Sequence, residues 1–185
     1  MMHAVEKQII SDERQLLPEH DVSDLIGLRA IVEGAAVQVT DAEGEVSVEV
    51  PDITTLSATI AMARCLSPVR LRGHELRAMR RIARMTAVDM AERMGEKTSP
   101  ETLSRWENEK QPIGGYAEKV FRLVICDVLS KRAPGIAYSD GAIARLTVVD
   151  PWRADPDYVV PPIVVNRVKM RAENNSIVNA WANAA

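Results

Sequence analysis

Short apolar alternation governs the chain between residues 25 and 50, where LRAIVEG and AAVQVTD run into a turn-like AEGE and then VSVEV, ending at Pro51. Val and Ile alternating with polar residues, with Gly34 and Gly44 where turns are wanted, predict a small β-meander or hairpin. From 52 to 65 the period changes. DITTLSATIAMARC sets Leu56, Ile60 and Met62 or Ala63 at helical spacing, and Ser67-Pro68 closes that helix. From Leu71 a series of short helices follows. Leu76, Met79, Ile82 and Ala83 give the first its buried stripe, while Arg77, Arg81 and Arg84 fall elsewhere on its surface. Thr86 caps the second, with Asp89 completing a variant of the capping box, and Gly95 is a typical residue just past its end. Its core residues are Met90, Ala91 and Met94. The third starts with Ser99 as cap and Pro100 at the first helical position, where the missing N–H costs nothing. After a QP turn, 116–131 predicts a longer helix with Val120, Leu123, Val124 and Val128 inside.

Patterning is weaker at both ends. Residues 1–24 are mixed, acidic and aperiodic, which predicts a poorly ordered or loosely packed arm. Residues 142–149 and 158–170 read as strands, the latter interrupted by Pro161-Pro162, which points to an edge or a bend. The tail NAWANAA is uninformative.

Composition narrows the class. A chain of 185 residues buries a real core and forms one or two domains, and 46% apolar with only 4% aromatic residues is the balance of a soluble globular protein. No apolar run approaches the roughly 18 residues of a membrane span, and MMHAVEKQIISDER lacks the pattern of a secretory signal, so a cytoplasmic location is expected. Cys65 and Cys126 have no second Cys or His at ligand spacing and read as buried free thiols rather than a disulfide or metal site. His3, His20 and His74 stand alone. With no Gly-rich phosphate loop, metal-spaced cluster or nucleophile-base pattern, the expectation is a non-enzyme without cofactor or metal.

Charge separates the chain into parts. Residues 1–66 carry four basic and twelve acidic side chains, 67–132 carry fourteen and nine, and 133–185 carry five of each. The middle is the basic part. Between Arg70 and Arg84 six arginines face one glutamate, a local field that attracts a polyanion at low salt, although a merely solvated helix face gives the same pattern.

A helix, a tight turn at Gly95, a capped helix and a further helix follow the helix-turn-helix order, in which the second unit enters the DNA major groove. On the helix that opens TSPETLSRWENEKQP, Glu101, Ser104, Arg105 and Asn108 share one face, while Leu103 and Trp106 share the other as core.

LRGHELRAMRRIARMTAVDMAERMGEKTSPETLSRWENEKQP resembles the lambda-repressor-like, Xre-type helix-turn-helix, through a first-helix Arg, a Gly in the turn and an S-R-W-E-N-type ending. More specifically, PVRLRGHELRAMRR is similar to the entry of MqsA-like antitoxin and regulator domains, and the upstream β-containing stretch is similar to the segment preceding it in some of them. The chain departs from that pattern by an insertion between Gly95 and Thr102, by Ala87 in place of the usual Gln, and by lacking the two-Cys-pair zinc module. The match covers roughly 25–130 and is strong over 70–113.

The resemblance implies an α+β fold, with an all-α lambda-repressor-like helix-turn-helix domain flanked by small β-containing N- and C-terminal segments. The divisions are an arm at 1–24, a β-containing segment with a helix at 25–66, the helix-turn-helix domain at 67–132 and a β-containing segment at 133–185. It further implies a buried ion pair between Arg80 and Glu107, and base reading by Glu101 and Arg105 with Ser104 and Asn108 beside them. Arg105 suits guanine O6 and N7; Glu101 either accepts from cytosine N4 or weakens binding by facing phosphates. Ser99, Thr102 and Lys110 are candidate phosphate contacts, joined by basic-cluster arginines such as Arg81 and Arg84. The expected function is a sequence-specific transcriptional regulator, an autorepressor bound as a homodimer to a palindromic double-stranded DNA operator. In an antitoxin version it also caps a toxin protein. The rival class is an interaction module, an adaptor or antiactivator, reusing the same fold.

Overall fold

The alternating and helical stretches resolve, in a computed structural model describing residues 13–171 and 175–184, into two sheets and seven α-helices. In chain order they are β1 Glu13–Leu16, β2 Glu19–Asp21, α1 Ser23–Ile26, β3 Ala30–Glu33, β4 Val37–Thr40, β5 Val46–Glu49 and α2 Ile53–Leu66. Then come α3 Gly73–Ile82, α4 Ala87–Met94, α5 Pro100–Glu107, α6 Gly115–Leu129, α7 Asp140–Arg145, β6 Ile163–Arg171 and β7 Ile177–Asn183.

β4 and β5 form an antiparallel hairpin, its turn held by Asp41 Oδ1, which accepts from the Glu43 and Glu45 N–H groups at 3.0 and 2.8 Å. β1 pairs with the other side of β4. The second sheet runs β2-β3-β6-β7, and only its β3–β6 contact is parallel, from Ala30↔Ile163 to Glu33↔Asn166. Parallel strands need a crossover connection. Here that crossover contains every helix from α2 to α7.

This overturns the expected fold class. An all-α lambda-repressor-like domain with small β flanks is not shown; the chain is mixed α/β, and one continuous core joins the helices to the second sheet. Ala30 and Val32 of β3, Val165 of β6 and Trp181 of β7 are buried in the same cluster as Leu56 and Ile60 of α2, Met79 of α3, Leu103 of α5 and Phe121 of α6. The physical reason is α2. Its residues from Leu56 to Cys65 are buried on nearly every side, leaving no outer polar face on which an independent helical domain would end.

Other expectations are corrected in detail. The meander over 25–50 splits, because β3 pairs with β6 instead of its sequence neighbour β4. Residues 13–21, expected within a loose arm, supply one strand to each sheet, while 1–12 lie outside the described residues. Residues 142–149, expected as a strand, begin inside helix α7 and contribute only an isolated bridge from Val149 to Val69. Pro161-Pro162 precede β6 rather than interrupt it, so β6 is an interior strand. The uninformative tail holds Trp181, fully buried. On α6 the inward stripe is Phe121, Ile125, Cys126 and Leu129, whereas Val120, Leu123, Val124 and Val128 are only half-buried.

That α6 face also carries two buried charges. Arg122 Nη2 donates to Glu118 Oε1 at 2.7 Å, and its guanidinium donates as well to the carbonyls of Cys65, Ser67 and Val69. Arg64 of α2 makes the matching clamp, donating to the Val69 and Arg70 carbonyls at 2.8 Å and forking onto Glu75 at 2.6 and 2.9 Å. Two buried guanidiniums thus satisfy the carbonyls of the connector into α3, whose one strand-like pairing among the described residues is the Val69–Val149 bridge. Cys65 and Cys126 are buried free thiols, and burial, followed by a hydrogen bond between the two, pushes the Cys65 thiol up.

Candidate nucleic-acid interface

Three short helices, α3, α4 and α5, build the surface that the charge pattern singled out. α4 starts at Thr86, whose hydroxyl accepts from the Asp89 N–H at 3.1 Å while the Asp89 carboxylate accepts the Thr86 N–H at 2.9 Å. The Thr86 hydroxyl also donates to the Asp89 carboxylate at 2.6 Å, and that bond, then the Thr86 N–H, holds the carboxyl below its usual range. α4 ends at Gly95 with φ +96°, a left-handed backbone that suits glycine. Ser99 then caps α5, its Oγ accepting from the Thr102 N–H at 3.2 Å, with Pro100 in the first turn.

Three ion pairs, Arg80–Glu107, Arg77–Glu107 and Arg72–Glu109, fasten the C-terminal end of α5 to α3 and its N-cap. Arg80 Nε and Nη2 fork onto the Glu107 carboxylate at 2.6 and 2.8 Å, while Arg80 Nη1 donates to the Met85 carbonyl at 3.0 Å. Glu107 is 7% exposed, so this pair is largely out of water, and it raises the Arg80 pKa. Past the helix end, Glu109 turns back with φ +56°. Its carboxylate takes the Arg72 fork at 2.9 Å on both arms and the Gly73 N–H at 3.1 Å. Arg72, first, holds the Glu109 carboxyl below its ordinary range. Between these pairs the backbones touch: a Cβ on Gly73 would stand 2.6 Å from the Trp106 carbonyl oxygen and 2.7 Å from that of Glu107.

With its inner side held, α5 turns a polar face outward. Leu103 and Trp106 are buried, while Glu101, Ser104, Arg105 and Asn108 are exposed. Their states differ. Asn108 donates to the Ser104 carbonyl at 2.7 Å and to the Ser104 hydroxyl at 3.2 Å, and its Oδ1 accepts from Arg77. The Glu101 carboxyl is held low by its own N–H at the helix start, then by the Ser99 hydroxyl, with a smaller contribution from Arg105. Arg105 has no hydrogen-bond or ion-pair partner among the described residues. Of the four, its side chain alone is uncommitted.

The basic cluster divides in the same way. Arg70 pairs with Asp150 at 2.8 Å, Arg72 with Glu109, and Arg77 and Arg80 with Glu107, at 3.6 and 2.6 Å. Arg81 and Arg84 are exposed and unpaired among the described residues. Arg81 lies one turn beyond Arg77, which reaches Asn108, on the same side of α3. Arg84 stands at φ +58°, ending α3 in the left-handed conformation. Lys110 is exposed after α5, Ser99 and Thr102 are half-buried, and the hydroxyls of the latter two lie 3.2 Å apart.

Sequence reasoning missed Arg72, Gly73, Arg77 and Glu109, which fix the end of α5. Their signal is faint, since Arg72 and Glu109 are 37 positions apart with nothing in their local spacing to link them. No group of three or more potential metal ligands occurs among the described residues, and no helix there is long and apolar enough to cross a membrane.

Fold and site together define a class, a mixed α/β protein presenting one short, rigidly mounted helix beside free arginines. No protein-family model, curated protein or solved structure matches the chain.

Proposed function

We propose that this protein is a sequence-specific DNA-binding transcriptional regulator that sets the outer face of α5 into the major groove and acts as a homodimer on a palindromic operator. The observation that carries the proposal is Arg105. It is an exposed guanidinium without a hydrogen-bond or ion-pair partner among the described residues, in the last turn of a helix whose opposite face is locked by Leu103, Trp106 and the Arg80–Glu107 pair. A fork of that kind on a rigid mount meets guanine O6 and N7 in two hydrogen bonds, with a discrimination of about 1–3 kcal/mol. Arg81 and Arg84 supply phosphate attraction, and Lys110 adds to it. Ser104 and Asn108 bond each other in the free protein and border the contact. Glu101 stands exposed on the same face, where it either accepts from cytosine N4 or opposes the phosphates.

One short helix reads only a few base pairs, and a two-fold pair of α5 helices reads half-sites one turn of DNA apart. Mobility-shift titration of the chain's own upstream region tests both parts, with repression of that promoter as the regulatory readout. Binding is expected to be saturable, competed poorly by unrelated duplex, and lost in Arg105→Ala. Equal affinity for every duplex, or none, favours the interaction-module alternative, to which the exposed carboxylate of Glu101 on the same face lends its support.

A further inference from the structure

Behind the C-terminal end of α5 lies a cavity of about 350 Å³ that the DNA proposal does not use. We infer that this cavity is a binding site for a small aromatic carboxylate. Its floor is apolar, made by Leu71, Leu76, Trp106 and Ile113, and the Trp152 ring forms a wall. That volume falls within the range of small-molecule sites, and an apolar body with two indoles nearby favours a flat, aromatic occupant.

The rim supplies the charge preference. Arg70, Arg72 and Arg153 line the cavity against two carboxylates, Asp150 and Glu109. Glu109 is committed to Arg72. Asp150 is shared, 2.8 Å from Arg70 and 3.5 Å from Arg153, and Glu118, 3.7 Å from Arg70, is matched by Arg122, so one positive charge is left over. Arg153 is 81% exposed and free to turn toward a ligand. Trp106 Nε1, on a lining residue, is buried without a hydrogen-bond partner among the described residues, whereas Arg70 Nε faces the buried Glu118 carboxylate at 3.7 Å.

Trp152 is pre-set as a wall. Its Nε1 donates to the Tyr158 carbonyl at 2.9 Å, its ring meets the Tyr158 ring edge-on at 5.6 Å, and the Arg72 guanidinium lies 5.0 Å from its centroid. A ligand therefore bridges Trp106 of α5 and the turn that carries Trp152.

The test is titration of the full-length protein with 2-naphthoate, followed by the indole N–H resonances of Trp106, Trp152 and Trp181 in a nitrogen-correlated NMR spectrum. Trp181 is buried elsewhere in the core and serves as an internal control. Saturable shifts of the Trp106 and Trp152 signals with Trp181 unmoved are expected. The neutral 2-naphthalenemethanol is expected to bind about tenfold more weakly, and Arg153→Gln to erase that difference, as loss of one charge-assisted hydrogen bond predicts. Absence of saturable shifts, shifts led by Trp181, or equal affinity for acid and alcohol overturns the inference. Since the titration contains no DNA, its failure is independent of any failure to bind an operator.

Discussion

Arg105 and Glu107 sit two positions apart on α5 and face opposite fates, one in solvent and the other sealed against Arg80. Arg105→Ala is expected to abolish operator preference while leaving the urea unfolding midpoint unchanged, because it has no partner to lose. Arg105→Lys should not rescue it, since an ammonium lacks the planar fork. Glu107→Ala is expected to do the reverse, lowering stability by about 3 kcal/mol as the Arg80 charge is left half-buried and unpaired. Gly73→Ala presses a methyl group onto backbone oxygens and should cost on the order of 1–3 kcal/mol by the same assay. A Gly73→Ala protein of wild-type stability would show that α3 and α5 are not docked so closely.

Among elements, the α3–α5 junction is acid-sensitive through Glu109. Glu109 is held low chiefly by Arg72, with help from the Gly73 N–H and His74, so its contribution is complete above the ordinary glutamate range and is lost as pH falls through the depressed value. Glu109→Gln should flatten the acid limb of the stability profile, read by urea denaturation at stepped pH. Legibility also divides by element. The starts and stops of α4 and α5 were readable from Thr86, Asp89, Gly95, Ser99 and Pro100, because caps act over three or four residues. The Arg80–Glu107 lock came from resemblance rather than periodicity, and the structure contains it. β3's partner was not readable, because Ala30 meets Ile163 across the entire helical crossover. α6 misled for another reason: its buried side includes Glu118 and Arg122, which a search for apolar stripes passes over.

At the scale of the molecule, the shared core means that the helical middle is not a separable module. A fragment spanning 67–132 lacks Val32, Val165 and Trp181 and is expected to show no cooperative thermal transition, whereas the full chain shows one. Trp181→Ala should cost about 3–5 kcal/mol even though it lies outside that segment. An independently folding fragment would contradict the mixed α/β core. The resulting molecule sets a basic middle against an acidic first third, and under the proposed function Arg81, Arg84 and Arg105 are the charges left to meet DNA. The decisive measurement is footprinting of the chain's own upstream DNA at low and moderate salt. The account predicts two protected half-sites about 10 base pairs apart, weakening steeply with salt and absent for Arg105→Ala. No protection at low salt, or an unchanged footprint with Arg105→Ala, would contradict it.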